Sequence, residues 1–162
     1  MNPGKNVGMQ PHLTPLQAAA RIRHYCAYQE RSHAEVKERL YSYGLHKSEV
    51  DSIVTDLIAE NFLNEERFAI QYAGGKFRVK HWGKVKITQA LRQKQVSPYC
   101  IKKALKEIDE ADYRSTLEKL ASEKLRTLRT EKNPLIKKRK LQVYLLQKGY
   151  ESSLVGDLVR SF

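Results

Sequence analysis

The sequence predicts an all-α protein made of three tandem three-helix repeats, stacked into an elongated, curved array. Apolar residues recur at the three- and four-residue spacing of helices with one buried face, and no useful stretch alternates as a half-buried strand does. A pattern of such positions also occurs three times in the 162-residue chain. Because three helices of about 50 residues bury little surface alone, we expect neighbouring repeats to share a continuous apolar seam.

The repeat is defined by three leucines at equivalent positions. These anchors are Leu40, Leu91 and Leu145. An aliphatic residue stands four positions before each anchor, and apolar or aromatic residues stand five, ten, fourteen and seventeen positions after it. Four positions after the anchor, two repeats have glycine and the middle one has Gln95. The last position of the third repeat is Phe162, which we therefore expect to lie in the core.

These spacings predict where each part of the chain begins and ends. Residues 1–13 contain two prolines, two glycines and almost no apolar periodicity, so we expect a disordered leader. The repeats are predicted over residues 14–62, 63–108 and 109–162.

Helix starts are marked by capping residues. A capping side chain followed by proline is typical of a first helical turn, and it occurs at Thr14-Pro15, Ser97-Pro98 and Asn133-Pro134. Ser32 and Glu35 have the spacing of a capping box. In the first helix, the predicted buried stripe consists of Leu16, Ala19, Ala20 and Ile22. This helix is predicted to end at Arg31.

Gly74-Gly75 interrupts the first helix of the second repeat, which begins at Asn64. Each glycine costs about 1 kcal/mol inside a helix. We therefore expect this helix to end, bend or fray before Lys76.

The positive charge is concentrated in the middle of the chain. The formal net charge is +12, and residues 64–108 carry eleven Lys/Arg against three Asp/Glu. Residues 1–63 balance seven against seven. Such a surface attracts polyanions or acidic protein faces, but charge alone does not choose between nucleic acid, anionic lipid and an acidic protein.

The main candidate binding residues lie at a helix junction of the second repeat. They are Lys76, Arg78, Lys80, Lys84 and Lys86, with Phe77 and Trp82 among them. One interpretation is a basic patch with aromatic anchors, suited to phosphates or to an acidic partner. The alternative is a solvated helix end whose two aromatic residues pack in the core.

Further basic candidates lie on later helices. In the second repeat, they are Lys102, Lys103 and Lys106, which lie away from the apolar face of its last helix. In the third repeat, they are four consecutive residues, Lys137, Lys138, Arg139 and Lys140. At most two of four consecutive helical residues can face one partner. In the first repeat, Arg21 and Arg23 are the candidates, and an ordinary solvated surface is the alternative in every case.

Catalysis, metals and cofactors are not expected. The histidines are scattered, and the sequence has no recognisable nucleophile motif or glycine-rich phosphate loop. Cys26 and Cys100 have no metal-ligand spacing, so we expect two reduced, partly buried thiols. Since no apolar run reaches the roughly 18 residues of a membrane span and the start has no apolar signal core, we expect no membrane association and a cytosolic location.

Three motifs resemble the RecX family of bacterial regulators of the RecA recombinase. They are Arg31-Ser32-x-x-Glu35 with Leu40 and Gly44, Phe62 to Ala69 (FLNEERFA), and Gly83-x-x-x-Ile87-x-x-x-Leu91. The second is the most specific, and the resemblance covers residues 14–162. Asn64 in place of the family's usual Asp, Gly74-Gly75, and Gln95 in place of glycine are departures that concern local capping and turns.

The resemblance implies a function as well as a fold. It implies three three-helix repeats and a protein that binds RecA, or RecA filaments on DNA, and modulates the recombinase, usually by inhibition. DNA is then contacted directly or through RecA, catalysis is absent, and we expect a monomer. The residues alone leave two alternatives open, which are a stand-alone nucleic-acid-binding protein acting through its basic face and a purely structural scaffold.

Overall fold

The computed structural model describes residues 12–162, in which it contains nine α-helices and no strand. The helices are α1 Pro15–Tyr28, α2 His33–Ser42, α3 Lys47–Ala59, α4 Glu65–Lys80, α5 Lys84–Gln93, α6 Pro98–Lys106, α7 Glu110–Thr127, α8 Pro134–Gln147 and α9 Ser152–Arg160. The all-α prediction is confirmed. The predicted leader lies outside the described residues except for His12 and Leu13, and the Leu13 N–H donates to the Tyr43 carbonyl at 3.0 Å.

The chain divides into two compact units, which we call unit 1 (to Phe68) and unit 2 (Ala69–Phe162). The helix α4 begins in unit 1 and continues into unit 2. The predicted repeat boundaries after residues 62 and 108 stay predictions.

Unit 1 is built on a core between α1, α2 and α3. Its α1 contributes Ala18, Ile22 and Cys26, which share one face at four-residue spacing. The predicted α1 stripe was therefore wrong in phase, since Leu16 is 83% exposed and Ala20 is also exposed. Three alanines in a row at 18–20 gave no information about which side faces inward.

The predicted caps are present. The Ser32 N–H donates to Glu35 Oε2 at 2.9 Å, and the Glu35 N–H donates to Ser32 Oγ at 3.1 Å, which completes a capping box. Thr14, Ser97 and Asn133 accept from backbone N–H groups of the turns that they precede. The first helix ends at Tyr28, before the predicted Arg31, because Gln29 is already extended.

Equivalent positions of the repeat have equivalent environments. The three anchor leucines and the aliphatic residues four positions earlier have no exposed surface. The residues four positions after the anchors all have positive φ, at +85° in Gly44, +60° in Gln95 and +95° in Gly149. Phe162 is the exception and the prediction for it was wrong, because α9 ends at Arg160 and the Phe162 side chain is 47% exposed.

The helix α4 runs through Gly74-Gly75 to Lys80, so the predicted end before Lys76 was wrong. Ala73 and Phe77 are buried on either side of the glycine pair, and this burial offsets the low helix propensity of glycine. The Arg78 side chain lies over Gly74, with Nη1 2.7 Å from the place that a Cβ would occupy.

Within unit 2, the start of α5 lies directly against the turn between α8 and α9. The Gly83 N–H donates to the Lys148 carbonyl at 2.8 Å, and the Val85 N–H donates to the Gly149 carbonyl at 2.9 Å. A Cβ on Gly83 would lie 2.3 Å from the Gly149 carbonyl oxygen. We call this contact the glycine seam, and it fixes the position of α5 against α8 and α9.

Tyr113 lies beside the glycine seam and joins it to α7. Its hydroxyl accepts from the Lys84 N–H at 2.9 Å and donates to Glu151 Oε1 at 2.6 Å, and its ring centroid is 5.1 Å from that of Tyr150. Burial, followed by the hydrogen bond to Glu151, raises the pKa of Tyr113 well above its ordinary value. The hydroxyl therefore stays protonated and keeps both hydrogen bonds.

Candidate functional site

Three lysines and two aromatic rings alternate on the surface of unit 2. Lys94 Nζ lies 5.7 Å from the Tyr72 ring centroid, and Lys76 Nζ lies 5.4 Å from the same ring. Lys76 Nζ is also 5.0 Å from the Trp82 ring, whose other lysine neighbour is Lys86 at 4.8 Å. We call the set Lys94, Tyr72, Lys76, Trp82 and Lys86 the cation–aromatic ladder.

Local structure explains how α4 and α5 assemble the ladder. Tyr72 and Lys76 are four residues apart on α4, so they share one helix face. After α4, His81 adopts a left-handed conformation with φ +57°, and the Trp82 N–H donates back to the Lys76 carbonyl at 3.3 Å. The chain thus reverses, and Trp82 is brought beside Lys76.

The ladder holds positive charge at a partly exposed surface. Each cation–π contact at such a site contributes about 0.5–1 kcal/mol, and the lysine stems can cover the rings while the ammonium groups stay hydrated. Among the described residues, no carboxylate forms an ion pair with Lys76 or Lys86; Lys86 Nζ instead donates to the Gln147 carbonyl at 3.4 Å. Two cations are therefore held in place without being neutralised.

The two aromatic candidates have different environments. Phe77 is 8% exposed and its ring centroid is 5.8 Å from that of Tyr113, so it packs in the core. Trp82 is only partly buried and lies between two lysines. Trp82 thus combines a packing position with an accessible ring.

The structure separates the other candidates of the second repeat from the ladder. Arg78 lines a groove of about 290 Å³ together with Glu107, Asp109 and Asp112, which is a locally acidic environment. Lys84 Nζ is 3.2 Å from Glu110 Oε2 and 4.6 Å from the Tyr113 ring. These two cations thus lie beside acidic groups of unit 2.

Lys80 and the basic residues of α6 are exposed. The Lys80 carbonyl accepts from Lys148 Nζ at 3.4 Å, while its own side chain is at the surface. Lys102 and Lys103 are exposed on α6, and Lys103 Nζ lies 5.1 Å from the Tyr99 ring. Lys103 thus lies beside Tyr99, which is not part of the ladder.

The four consecutive charges on α8 are divided between two environments. Lys137 and Lys138 are half-buried, whereas Arg139 and Lys140 are exposed and line an open pocket of about 410 Å³. Lys140 Nζ is 3.3 Å from Glu131 Oε2, so its charge is partly neutralised. Only two of the four therefore reach one pocket.

Unit 1 contains a basic pocket that sequence reasoning missed. It is open, has a volume of about 680 Å³, and is lined by three arginines and three tyrosines together with His24. The arginines and tyrosines are Arg21, Arg31, Arg39, Tyr25, Tyr28 and Tyr43. Of the two arginines predicted as candidates, Arg21 lines this pocket, whereas Arg23 makes two 2.9 Å hydrogen bonds to the Glu60 carboxylate.

Metal-ligand clusters and membrane-spanning helices are absent from residues 12–162. That part of the chain holds no group of three or more His, Cys, Asp or Glu residues able to bind a metal ion. None of its helices combines the length and apolar character needed to cross a membrane. Cys26 and Cys100 are buried and do not form a disulfide with each other, and burial raises the pKa of the Cys26 thiol.

Comparison with known proteins identifies the family of this chain. The family model for the second three-helix domain of RecX matches residues 64–105, and that for the third matches residues 111–159. Regulatory protein RecX of Pelodictyon phaeoclathratiforme is 31% identical over 132 residues, which is 80% of this chain and 80% of that protein. The chain belongs to the RecX family.

Other relatives extend the comparison. Regulatory protein RecX of Clostridium perfringens is 30% identical over 131 residues, and the match covers 80% of this chain but only 61% of that relative. The crystal structure of RecX from Lactobacillus salivarius superposes with a TM-score of 0.81 over 91% of this chain and 95% of that one. At 22% identity this likeness shows the fold, and it agrees with the predicted all-α repeat architecture.

Proposed function

We propose that this RecX-family chain binds RecA or RecA filaments on DNA, that it inhibits recombinase activity, and that the cation–aromatic ladder is a contact surface. The observation that supports it most is the family membership, because the relatives are named as regulatory proteins. We further propose that the chain acts as a cytosolic monomer, without catalysis or cofactor.

The chemistry of the ladder suits an acidic or phosphate-bearing partner. Lys76 and Lys86 are positioned by contact with Trp82 before any partner arrives, so less side-chain entropy is lost on binding. Tryptophan is also enriched among residues that dominate binding free energies. A carboxylate or phosphate placed beside the two ammonium groups would gain charge-assisted hydrogen bonds.

The test measures ATP hydrolysis and strand exchange by a RecA homologue on single-stranded DNA while this protein is titrated. We expect both activities to fall at stoichiometric or lower amounts. At least about tenfold higher amounts of a variant with Lys76→Glu and Lys86→Glu should be needed for the same inhibition. A tenfold change corresponds to a loss of about 1.4 kcal/mol of binding free energy. An absence of inhibition by the unaltered protein across this range contradicts the proposal.

A matched control separates the surface from the total charge. Lys37 and Lys119 are exposed residues outside the ladder, and Lys37→Glu with Lys119→Glu changes the net charge by the same amount. This control should inhibit like the unaltered protein. If the two double variants lose equal potency, the ladder is not the contact surface, although regulation of RecA would stand.

A second candidate function is direct nucleic-acid binding through the basic face of unit 2. It is favoured by the surplus charge of residues 64–108 and by the two lysines of the ladder without ion pairs. If about six to ten phosphates are neutralised, the affinity for DNA should fall by roughly a thousandfold or more between about 50 and 200 mM salt. An affinity that barely changes with salt contradicts this function.

A further inference from the structure

The basic pocket of unit 1 is more positive than the balanced charge of residues 1–63 suggests. Three acidic residues of unit 1 form ion pairs with cations outside the pocket: Glu60 pairs with Arg23, Glu30 with Arg67, and Asp51 with Lys47. No carboxylate lines the pocket, and among the described residues none forms an ion pair with Arg21 or Arg39. The charges of unit 1 are therefore segregated, and the pocket is left cationic.

Part of the pocket is already arranged without a ligand. The Arg31 guanidinium carbon lies 3.7 Å from the Tyr25 ring centroid, and Arg31 Nε donates to the Tyr25 carbonyl at 3.1 Å. The Arg39 guanidinium carbon lies 5.0 Å from the same ring. Tyr25 thus positions two guanidinium groups, so a ligand that binds them need not order them first.

Tyr28 supplies an aromatic surface beside these cations. It is the last residue of α1, it lines the pocket, and it is 84% exposed. Among the described residues, its ring contacts no other aromatic ring and no cation, in contrast to Tyr25. An exposed ring next to arginines that lack carboxylate partners is suited to a ligand with both a flat apolar face and negative charge.

We propose that this pocket binds single-stranded nucleic acid, with a base stacked on Tyr28 and flanking phosphates bound by Arg21 and Arg39. A volume of about 680 Å³ lies within the range of small-ligand pockets and can hold one nucleotide. Aromatic side chains and a cationic groove together are the usual means of binding a single strand without sequence preference. This site is separate from the cation–aromatic ladder and does not depend on the proposed regulation of RecA.

Chemistry favours a single strand over the alternatives. A duplex keeps its base faces stacked inside, so it can offer phosphates to the arginines but no ring to Tyr28. An acidic peptide can supply charge but lacks the flat aromatic face. Because the pocket is open, the chain of a bound strand can continue on both sides of the nucleotide that occupies it.

The experiment measures binding of a fluorescent 15-nucleotide oligothymidine by anisotropy. We expect Tyr28→Ala to weaken binding by about 5- to 100-fold, as the loss of one base–aromatic stack predicts. Tyr28→Phe, which keeps the ring, should bind within about twofold of the unaltered protein. Tyr41→Ala is the matched control, since Tyr41 is an exposed tyrosine of α2 outside the pocket, and it should not change the affinity.

Photo-crosslinking locates the strand, because oligothymidine could also bind basic surfaces of unit 2. With 4-thiothymidine in the oligonucleotide, we expect a crosslink in the peptide that contains Tyr28, and its loss in the variant Arg21→Glu with Arg39→Glu. Unchanged binding by Tyr28→Ala, or crosslinks confined to unit 2, would overturn the proposal. Circular dichroism should show native helix content in all these variants, because the substituted residues are exposed.

Competitors separate the possible ligands. Unlabelled oligothymidine should displace the strand from the Tyr28 crosslink at much lower concentration than thymidine monophosphate, a duplex of the same length or polyglutamate. Equal displacement by the monophosphate would instead make this a free-nucleotide site. Equal displacement by the duplex or by polyglutamate would show that the pocket recognises negative charge alone. Equal displacement by any of these three competitors would refute the proposal that the pocket binds single-stranded nucleic acid.

Discussion

Replacing Gly83 with alanine should open the glycine seam of unit 2. The added Cβ would lie 2.3 Å from the Gly149 carbonyl oxygen and 2.5 Å from the Tyr150 nitrogen, and both are backbone atoms. Such atoms cannot rotate away as a side chain can, so the start of α5 must move by about 1 Å to restore normal packing distances. That movement disrupts the hydrogen bonds that hold the seam.

The size of the effect follows from the contacts that are lost. Two backbone hydrogen bonds cross the seam, at 2.8 Å from Gly83 and 2.9 Å from Val85. Each contributes about 0.5–1.5 kcal/mol, and a donor left buried without a partner costs about 1–3 kcal/mol. We therefore expect Gly83→Ala to lower the free energy of unfolding by about 2–4 kcal/mol.

Urea unfolding followed by circular dichroism measures this change, and Gly75→Ala is the matched control. No atom of residues 12–162 beyond its own surroundings in α4 lies within 4 Å of a Cβ added at Gly75. Alanine there should raise stability by about 0.5–1 kcal/mol, because glycine is the poorer helix former. A Gly83→Ala variant as stable as the unaltered protein, or two variants with the same loss, would refute the reasoning from the seam.

Two further predictions concern stability. Gln95 has φ +60°, a conformation that glycine adopts more easily than glutamine, so Gln95→Gly should stabilise the protein by about 0.5–1 kcal/mol in urea unfolding. The control Gln89→Gly, in the middle of α5, should destabilise it by about 1 kcal/mol. A Gln95→Gly variant less stable than the Gln89→Gly variant would contradict the turn assignment. Burial, opposed by the charge of Glu65 and assisted by that of Lys37, lowers the pKa of His33 below its ordinary 6.5. The unfolded chain therefore takes up the proton first, so stability should fall as pH drops below about 6.5. His33→Gln should reduce this loss of stability at low pH, whereas His46→Gln should leave it unchanged. Equal stability–pH profiles for both variants would show that His33 does not cause the loss.

Much of the fold could be predicted because helical periodicity and capping are local signals. The anchors Leu40, Leu91 and Leu145 are buried as expected, and Ser32 caps α2. The errors occur where local signals are silent or misleading. In α1, consecutive alanines do not indicate which face is buried. In α4, burial of neighbouring residues stabilises the helix despite its two glycines. Phe162 lies beyond the end of α9 and is therefore not in the core.

The candidate sites were less predictable because they join residues that are distant in sequence. Lys76, Lys86 and Trp82 could be selected from one basic stretch, and Tyr72 lies four residues before Lys76 on α4. Lys94, by contrast, joins the ladder only through its tertiary contact with the Tyr72 ring. The basic pocket of unit 1 was missed because equal totals of acids and bases concealed their segregation. The cluster of arginine, histidine and tyrosine in residues 21–31 was the signal that could have found it.

The most direct test of the proposed function is co-sedimentation of this protein with RecA filaments formed on single-stranded DNA, compared with the same DNA alone. We predict that the unaltered protein and the variant with Lys37→Glu and Lys119→Glu sediment with the filaments well beyond their retention on DNA. The variant with Lys76→Glu and Lys86→Glu should remain mainly in the supernatant. Equal retention of the unaltered protein on bare DNA and on filaments would contradict recognition of RecA.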